Sequence, residues 1–253
     1  MVMRVLTRFA RYLAPGVLVA CVVSLGAPCA AQENVDPPTV PAAPGAGDGR
    51  GALFAPSAWL VLSTPVRKQI DLKLYGFYIG ALDVPVAQID VPIRTSKWLT
   101  VTPSYMYYSV RASGLNKLTP LPGSFADSYE EQQFRIDGTV AFAIRKLEIS
   151  ARNMYVRRFR PSPADDINRY RGRIAIAHPV AVHGRTWKPF ASYESYYERN
   201  GGWNRDRVST GITLPLKGRV LFQPSYMWES SKGNRDVHYL LFGLIVRTRF
   251  VHR

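Results

Sequence analysis

The feature that most constrains this chain is a period-two alternation of apolar with polar or charged residues, sustained over runs of about ten residues. Phe134, Ile136, Val140, Phe142 and Ile144 alternate with Gln133, Arg135, Asp137 and Thr139. Tyr170, Gly172, Ile174 and Ile176 face away from Arg169, Arg171 and Arg173. Val208, Ile212 and Leu214 oppose Arg207, Ser209 and Thr213, and Leu240, Phe242, Leu244 and Val246 share one side of the final run. Successive side chains of a strand point to opposite faces, so each run carries one apolar and one polar face. No segment from Ala58 to Phe250 shows a sustained helical stripe, and about eleven strand-like runs fall within it.

Strand length decides what covers those faces. Soluble sheets favour strands of about five or six residues, whereas a tilted strand needs about 9–11 to cross a bilayer. The pattern therefore predicts an all-β fold, a transmembrane antiparallel up-and-down β-barrel of about 10–12 strands, over residues 58–250. The connections alternate too. Val66-Arg67-Lys68, Arg145-Lys146 and Lys217-Gly218-Arg219 are short, while Arg111–Ser128 and Phe159–Asp166 are longer, the pattern of periplasmic turns and extracellular loops. Tyr105, Tyr107, Tyr108, Tyr193, Tyr196, Tyr197, Tyr226 and Trp228 gather towards the loop ends, and Trp98, Trp187, Phe222 and Phe250 towards the turn ends. Two aromatic girdles are expected from this. Two features strain the expectation. Single-chain bacterial barrels have even strand numbers, so an eleventh strand would start the chain at the outer end. Pro92, Pro103, Pro179, Pro189, Pro215 and Pro224 fall inside the runs and donate no ladder bond, though all lie close to a short turn, where a ladder can fray.

The ends of the sequence carry targeting information. Met1 to Arg11 holds Arg4, Arg8 and Arg11 and no acid; Leu13 to Leu25 is apolar, and Cys29-Ala30-Ala31 precedes polar Gln32-Glu33-Asn34. Residues 1–31 read as a Sec signal peptide cleaved after Ala31. Leu18-Val19-Ala20-Cys21 resembles a lipoprotein box, but Val22-Val23-Ser24-Leu25 follows where a lipidated cysteine opens a polar tether. Pro15, Gly16, Gly26 and Pro28 interrupt any retained helix. Residues 32–57 read as a Pro/Ala/Gly-rich linker, disordered or threading the lumen, and Val251-His252-Arg253 as a short tail. Both cysteines, Cys21 and Cys29, lie in the leader, so the mature chain has no thiol chemistry. Removing the three leader arginines from 33 basic residues leaves 30 against 18 acids, a formal charge of +12. Export makes nucleic acid an unsuitable partner for that charge; outer-membrane lipids, lipopolysaccharide or an anionic solute suit it.

The runs Glu131-Gln-Gln-Phe-Arg, Arg152-Asn-Met-Tyr, Asn168-Arg-Tyr-Arg-Gly-Arg173 and Pro189-Phe-Ala-Ser-Tyr-Glu194 resemble, in type and order, a bacterial outer-membrane family catalogued as domain-of-unknown-function family 2490. The Arg-Tyr-Arg-x-Arg strand followed by a Tyr-x-Glu strand is the most specific part. The resemblance implies a β-barrel in the outer membrane of a Gram-negative bacterium and brings no activity or catalytic residues. Phe250 stands where barrel proteins carry the aromatic assembly signal read by the barrel-assembly machinery, with three residues following it.

The polar alternates carry the chemistry. A charge on the lipid face costs about 2–4 kcal/mol at mid-depth, so Asp71, Asp90, Asp137, Arg152, Arg171, Glu194, Arg207 and Glu229 are expected to line a narrow, mixed-charge, arginine-biased lumen. Two roles compete: ion pairs that fill and stiffen the barrel, or a small-solute pathway favouring anions. Filling is preferred, because barrels only slightly narrower are already filled by side chains. A competing class is an outer-membrane enzyme acting on lipid A or phospholipid, with Ser230, Ser231, Asp236 and His238 supplying nucleophile, base and acid. The same residue types are ordinary in turns, and no catalytic motif accompanies them, so no catalytic residue is assigned. A soluble periplasmic β-protein is the third class. With His178, His183, His238 and His252 dispersed and no phosphate-binding glycine loop or HExxH, neither a metal nor a cofactor is expected.

Overall fold

A computed structural model describes residues 53–79, 84–110, 129–160, 166–199, 201–232, 234 and 236–248. Its strands are β1 (Leu53–Arg67), β2 (Ile70–Ile79), β3 (Val84–Asp90), β4 (Ile93–Arg94), β5 (Leu99–Val110), β6 (Tyr129–Ile144) and β7 (Leu147–Phe159). These are followed by β8 (Ile167–Ala177), β9 (Val180–Val182), β10 (Arg185–Glu198), β11 (Gly202–Pro215), β12 (Val220–Ser231) and β13 (Val237–Arg247). Two prolines account for the difference between thirteen segments and eleven walls. Pro92 separates β3 from β4, and the His178-Pro179 pair separates β8 from β9. At both points the chain stays on the wall: Val91 N–H donates to Pro103 O at 3.0 Å, and His178 N–H to Pro189 O at 3.0 Å. Pro103, Pro189, Pro215 and Pro224 remain within paired strands.

Neighbouring strands pair in sequence order and antiparallel throughout, from β1–β2 to β12–β13. The ring then closes in a way alternation does not reveal. β1 pairs β13 in parallel, from Leu53↔Val237 to Ser63↔Arg247. Bonds flank this seam, Leu53 N–H to Asp236 O at 2.9 Å and Thr248 N–H to Ser63 O at 2.8 Å. A closed barrel of eleven walls results, and the odd number is accommodated because first and last strands run the same way. β1 accordingly opens beside Asp236, at the end that carries the longer connections. It also opens earlier than composition implies: Leu53–Ser57 belongs to the ladder rather than to the linker. Ala, Pro and Ser weaken the strand signal there, yet two neighbouring strands impose it. The leader, the rest of the linker, the Arg111–Ser128 connection, Phe250 and the tail lie outside the described residues.

Closure pairs every strand edge, which a bilayer demands of any spanning sheet. The outer wall is apolar, with Leu60, Leu62, Phe134, Ile136, Ile174, Ile176, Phe242 and Leu244 exposed. The inner wall is buried and has two halves. Around the seam it is hydrophobic: Trp59, Val61, Phe77, Ile79, Val86, Leu241 and Ile245 pack together. Trp59 faces Gly243 across the parallel pair, and its ring fills the place a side chain would take, a Cβ there lying 1.9 Å from it. From β6 through β12 the inner wall is charged, with Glu131, Arg135, Arg158, Arg169, Arg171, Glu194, Arg207 and Glu229 all buried.

Candidate functional site

The charged half converges on Tyr196. In β10, inward positions are the even ones, Ser192, Glu194 and Tyr196, which are buried. The register sets Arg171 of β8 and Arg205 of β11 directly beside Tyr196, with Arg169 and Arg207 one inward step away along their strands. Four guanidinium carbons surround the ring, with Arg171 at 4.8 Å, Arg207 at 5.2 Å, and Arg169 and Arg205 at 5.6 Å from its centroid. The negative face of an aromatic ring attracts such cations, more strongly when water is excluded.

Carboxylates hold these arginines in place. Arg171 grips Glu194 with two bonds, 3.1 Å from Nε to Oε1 and 3.0 Å from Nη2 to Oε2. Arg152 Nη2 donates to the same Oε1 at 2.9 Å, and Tyr196 Oη donates to Oε2 at 2.7 Å. Arg207 Nε donates to Glu229 Oε2 at 2.5 Å, and Arg205 lies 3.4 Å from Glu229 Oε1. Towards the loop end, Arg169 pairs with Glu198, and Arg158 grips Glu131 with bonds of 2.5 and 2.6 Å. Gln133 Nε2 donates to Glu131 at 2.7 Å, and Arg135 Nε donates to Gln133 Oε1 at 3.0 Å. The network thus runs from β12 across β11, β10, β8 and β7 to β6. Within it, Arg152, Arg158, Arg169, Arg171, Arg205 and Arg207 face Glu131, Glu194, Glu198 and Glu229.

Of the residues singled out by sequence, Arg152, Arg171, Glu194, Arg207 and Glu229 meet in this network. Asp71, Asp90 and Asp137 also stand on inward positions. Asp71 pairs with Arg94 at 3.0 Å on the turn-end rim; Asp90 accepts from Gln88 Nε2 at 2.7 Å; Asp137 accepts from Thr139 at 3.1 Å. Tyr196 and Tyr108, expected in the outer girdle, are instead inside and fully buried. Parity with Glu194 was the available signal for Tyr196. Tyr105, Tyr197 and Tyr226 are exposed on the outer wall.

The outer-rim group Ser230, Ser231, Asp236 and His238 is divided by the wall. Ser231 is buried on the inward parity of β12, whereas His238 has outward parity on β13. His238 Nδ1 lies 2.5 Å from Tyr226 Oη, and Asp236 Oδ2 accepts from Trp228 Nε1 at 3.1 Å. Among the described residues, no hydrogen bond joins either serine to His238. Nor do those residues gather three groups suited to a metal ion. At the turn-end rim an open cavity of about 460 Å³ lies between Arg185, Lys188, Thr213, Leu221 and Arg247.

A family model described as a protein of unknown function, DUF2490, matches residues 81–238. This span covers β3 to the start of β13 and every charged residue of the network. The chain belongs to this family. No curated protein matches it. Among solved structures, it is similar to LpxR from Salmonella typhimurium, at 9% identity and a TM-score of 0.46 over 70% of this chain and 83% of that one. It is also similar to the beta domain of the Bordetella autotransporter BrkA, at 14% identity and 0.41 over 69% and 82%. OmpT of Vibrio cholerae, an outer membrane protein, follows at 13% identity and 0.38 over 66% and 52%. Likenesses of this order pass no activity to this member of the family.

Proposed function

We propose that the protein is an outer-membrane barrel whose interior is occluded at rest, a structural wall element rather than an open pore. The observation that carries this reading is Tyr196, buried beneath four arginines of β8 and β11 that are tied to carboxylates of β10 and β12. Barrels of eight strands leave room only for side chains, and eleven walls filled with arginine, tyrosine and tryptophan reach the same end with larger groups. Separating one buried charge from its partner costs about 3–5 kcal/mol. A path through the barrel separates several at once. Proteoliposomes carrying the folded protein should therefore not swell in small neutral or anionic solutes; swelling comparable to that given by a general porin would overturn the reading.

A second reading is supported by the basic balance of the sequence, 30 basic against 18 acidic residues once the three leader arginines are removed. If the network yields, the passage it leaves is cationic, and small anions are the solutes it favours. An enzyme acting on lipid A or phospholipid has less support, because the aromatic girdle engages both His238 and Asp236. In this reading the chain is exported through the Sec pathway, the outer wall meets phospholipid and lipopolysaccharide, and the C-terminal sequence that carries Phe250 addresses the assembly machinery.

A further inference from the structure

The described residues of the two rims differ in charge. At the short-turn end an exposed aliphatic residue repeatedly adjoins two exposed cations: Val66 with Arg67 and Lys68, Leu147 with Arg145 and Lys146, Leu216 with Lys217 and Arg219. Two further turns set tryptophan beside a cation, Lys97-Trp98 and Arg185-Thr186-Trp187, with both indoles exposed. The described carboxylates nearest this end are occupied, Asp71 by Arg94 at 3.0 Å and Glu148 by Lys188 at 2.9 Å. No described carboxylate pairs with Arg67, Lys68, Arg145, Lys146 or Lys217. Among the described residues, the loop-end rim carries carboxylates beside its cations, with Asp166 paired to Arg157, Asp206 accepting from Tyr193 and Asp236 from Trp228.

We propose that the turn-end rim is a binding belt for the phosphate groups of anionic phospholipids. The chemistry follows from depth. An apolar residue or indole at the edge of the wall rests against acyl chains and glycerol, and a cation one or two residues further out reaches the phosphate layer. Repetition at five turns makes the belt an annulus instead of a single pocket, which fits a leaflet of many identical headgroups better than one soluble anion. Each cation near an anionic surface strengthens attraction appreciably, and salt weakens it. The proposal rests on the reading of the barrel as membrane-embedded, with its short turns towards the periplasm.

Native mass spectrometry of the folded barrel in detergent, titrated with phosphatidylglycerol, phosphatidylcholine or inorganic phosphate, tests it. The wild type should retain several phosphatidylglycerol molecules in preference to phosphatidylcholine. The quadruple variant Arg67→Gln, Lys68→Gln, Arg145→Gln, Lys146→Gln should bind phosphatidylglycerol more weakly by at least about tenfold at low salt. The loop-end control Arg199→Gln, Lys232→Gln should stay within about twofold of wild type, and heat-modifiable gel mobility shows that each variant is folded. Equal retention by wild type and quadruple variant, or equal retention of both lipids, overturns the belt. Displacement of lipid by millimolar inorganic phosphate overturns it too, marking a free-anion site. A conducting barrel would refute occlusion and leave this result unaffected.

Discussion

The two halves of the interior obey the same alternation and fill it with opposite chemistry. Around the seam of β1, β2, β3 and β13, inward positions carry Trp59, Val61, Phe77, Ile79, Val86, Leu241 and Ile245. From β6 to β12 they carry arginine and glutamate. The difference follows from how each half is held in register. In the charged half, short turns tie most neighbours together, so directional ion pairs meet partners already aligned. At the seam no turn joins β13 to β1, and closing so long a loop costs entropy. The parallel ladder there is slightly weaker per residue than an antiparallel one. Non-directional apolar burial, at about 25 cal/mol per Å², is the interaction best suited to closing it. The apolar half holds the barrel shut as a ring, and the charged half fills its bore.

The largest expected effect breaks the seam. In Gly243→Val the new Cβ would lie 1.9 Å from the Trp59 ring, so the indole must leave. We expect a loss of about 3–5 kcal/mol, read as a lower urea midpoint of the heat-modifiable form. Trp59→Ala should cost a similar amount alone, yet the double variant should recover part of the loss, because valine then fills the vacated space. A double variant as unstable as the sum of the singles would deny the contact. Glu194→Ala comes next. It leaves Arg171 and Arg152 buried without their carboxylate, and we expect about 3 kcal/mol, the low end of the range because Arg207 keeps Glu229. A loss below about 1 kcal/mol would mean that water reaches these arginines and that the bore is open. Tyr196→Phe keeps the ring and removes only the bond to Glu194; about 1 kcal/mol is expected, and the urea midpoint again reads it.

Much of this was legible in the residues, and what was not has physical causes. Ile136 outward and Asp137 inward follow from parity alone, as does the meeting of Arg171 and Glu194 on one face. The eleven walls were also countable. The direction of β1 against β13 was not, since alternation is symmetric to strand reversal and carries no pairing information. Leu53–Ser57 carry little strand signal of their own, because alanine, proline and serine resemble linker, and only two flanking strands make them a wall. Residue type does not place Tyr196 and Tyr108, because tyrosine suits a membrane interface and a packed interior equally. Parity, not residue type, distinguishes them. The hydrophobic half of the bore was hidden for a related reason: on β1, Trp59 and Val61 face inward while Leu60 and Leu62 face outward, so neither face is marked by charge.

Single-channel recording in planar bilayers, comparing wild type with Tyr196→Ala, tests occlusion most directly. Removing the ring takes away what four arginines surround and leaves a polar gap that water can enter. The account predicts a silent wild type and anion-selective openings in the folded variant. Steady openings of the same size in both proteins would contradict it.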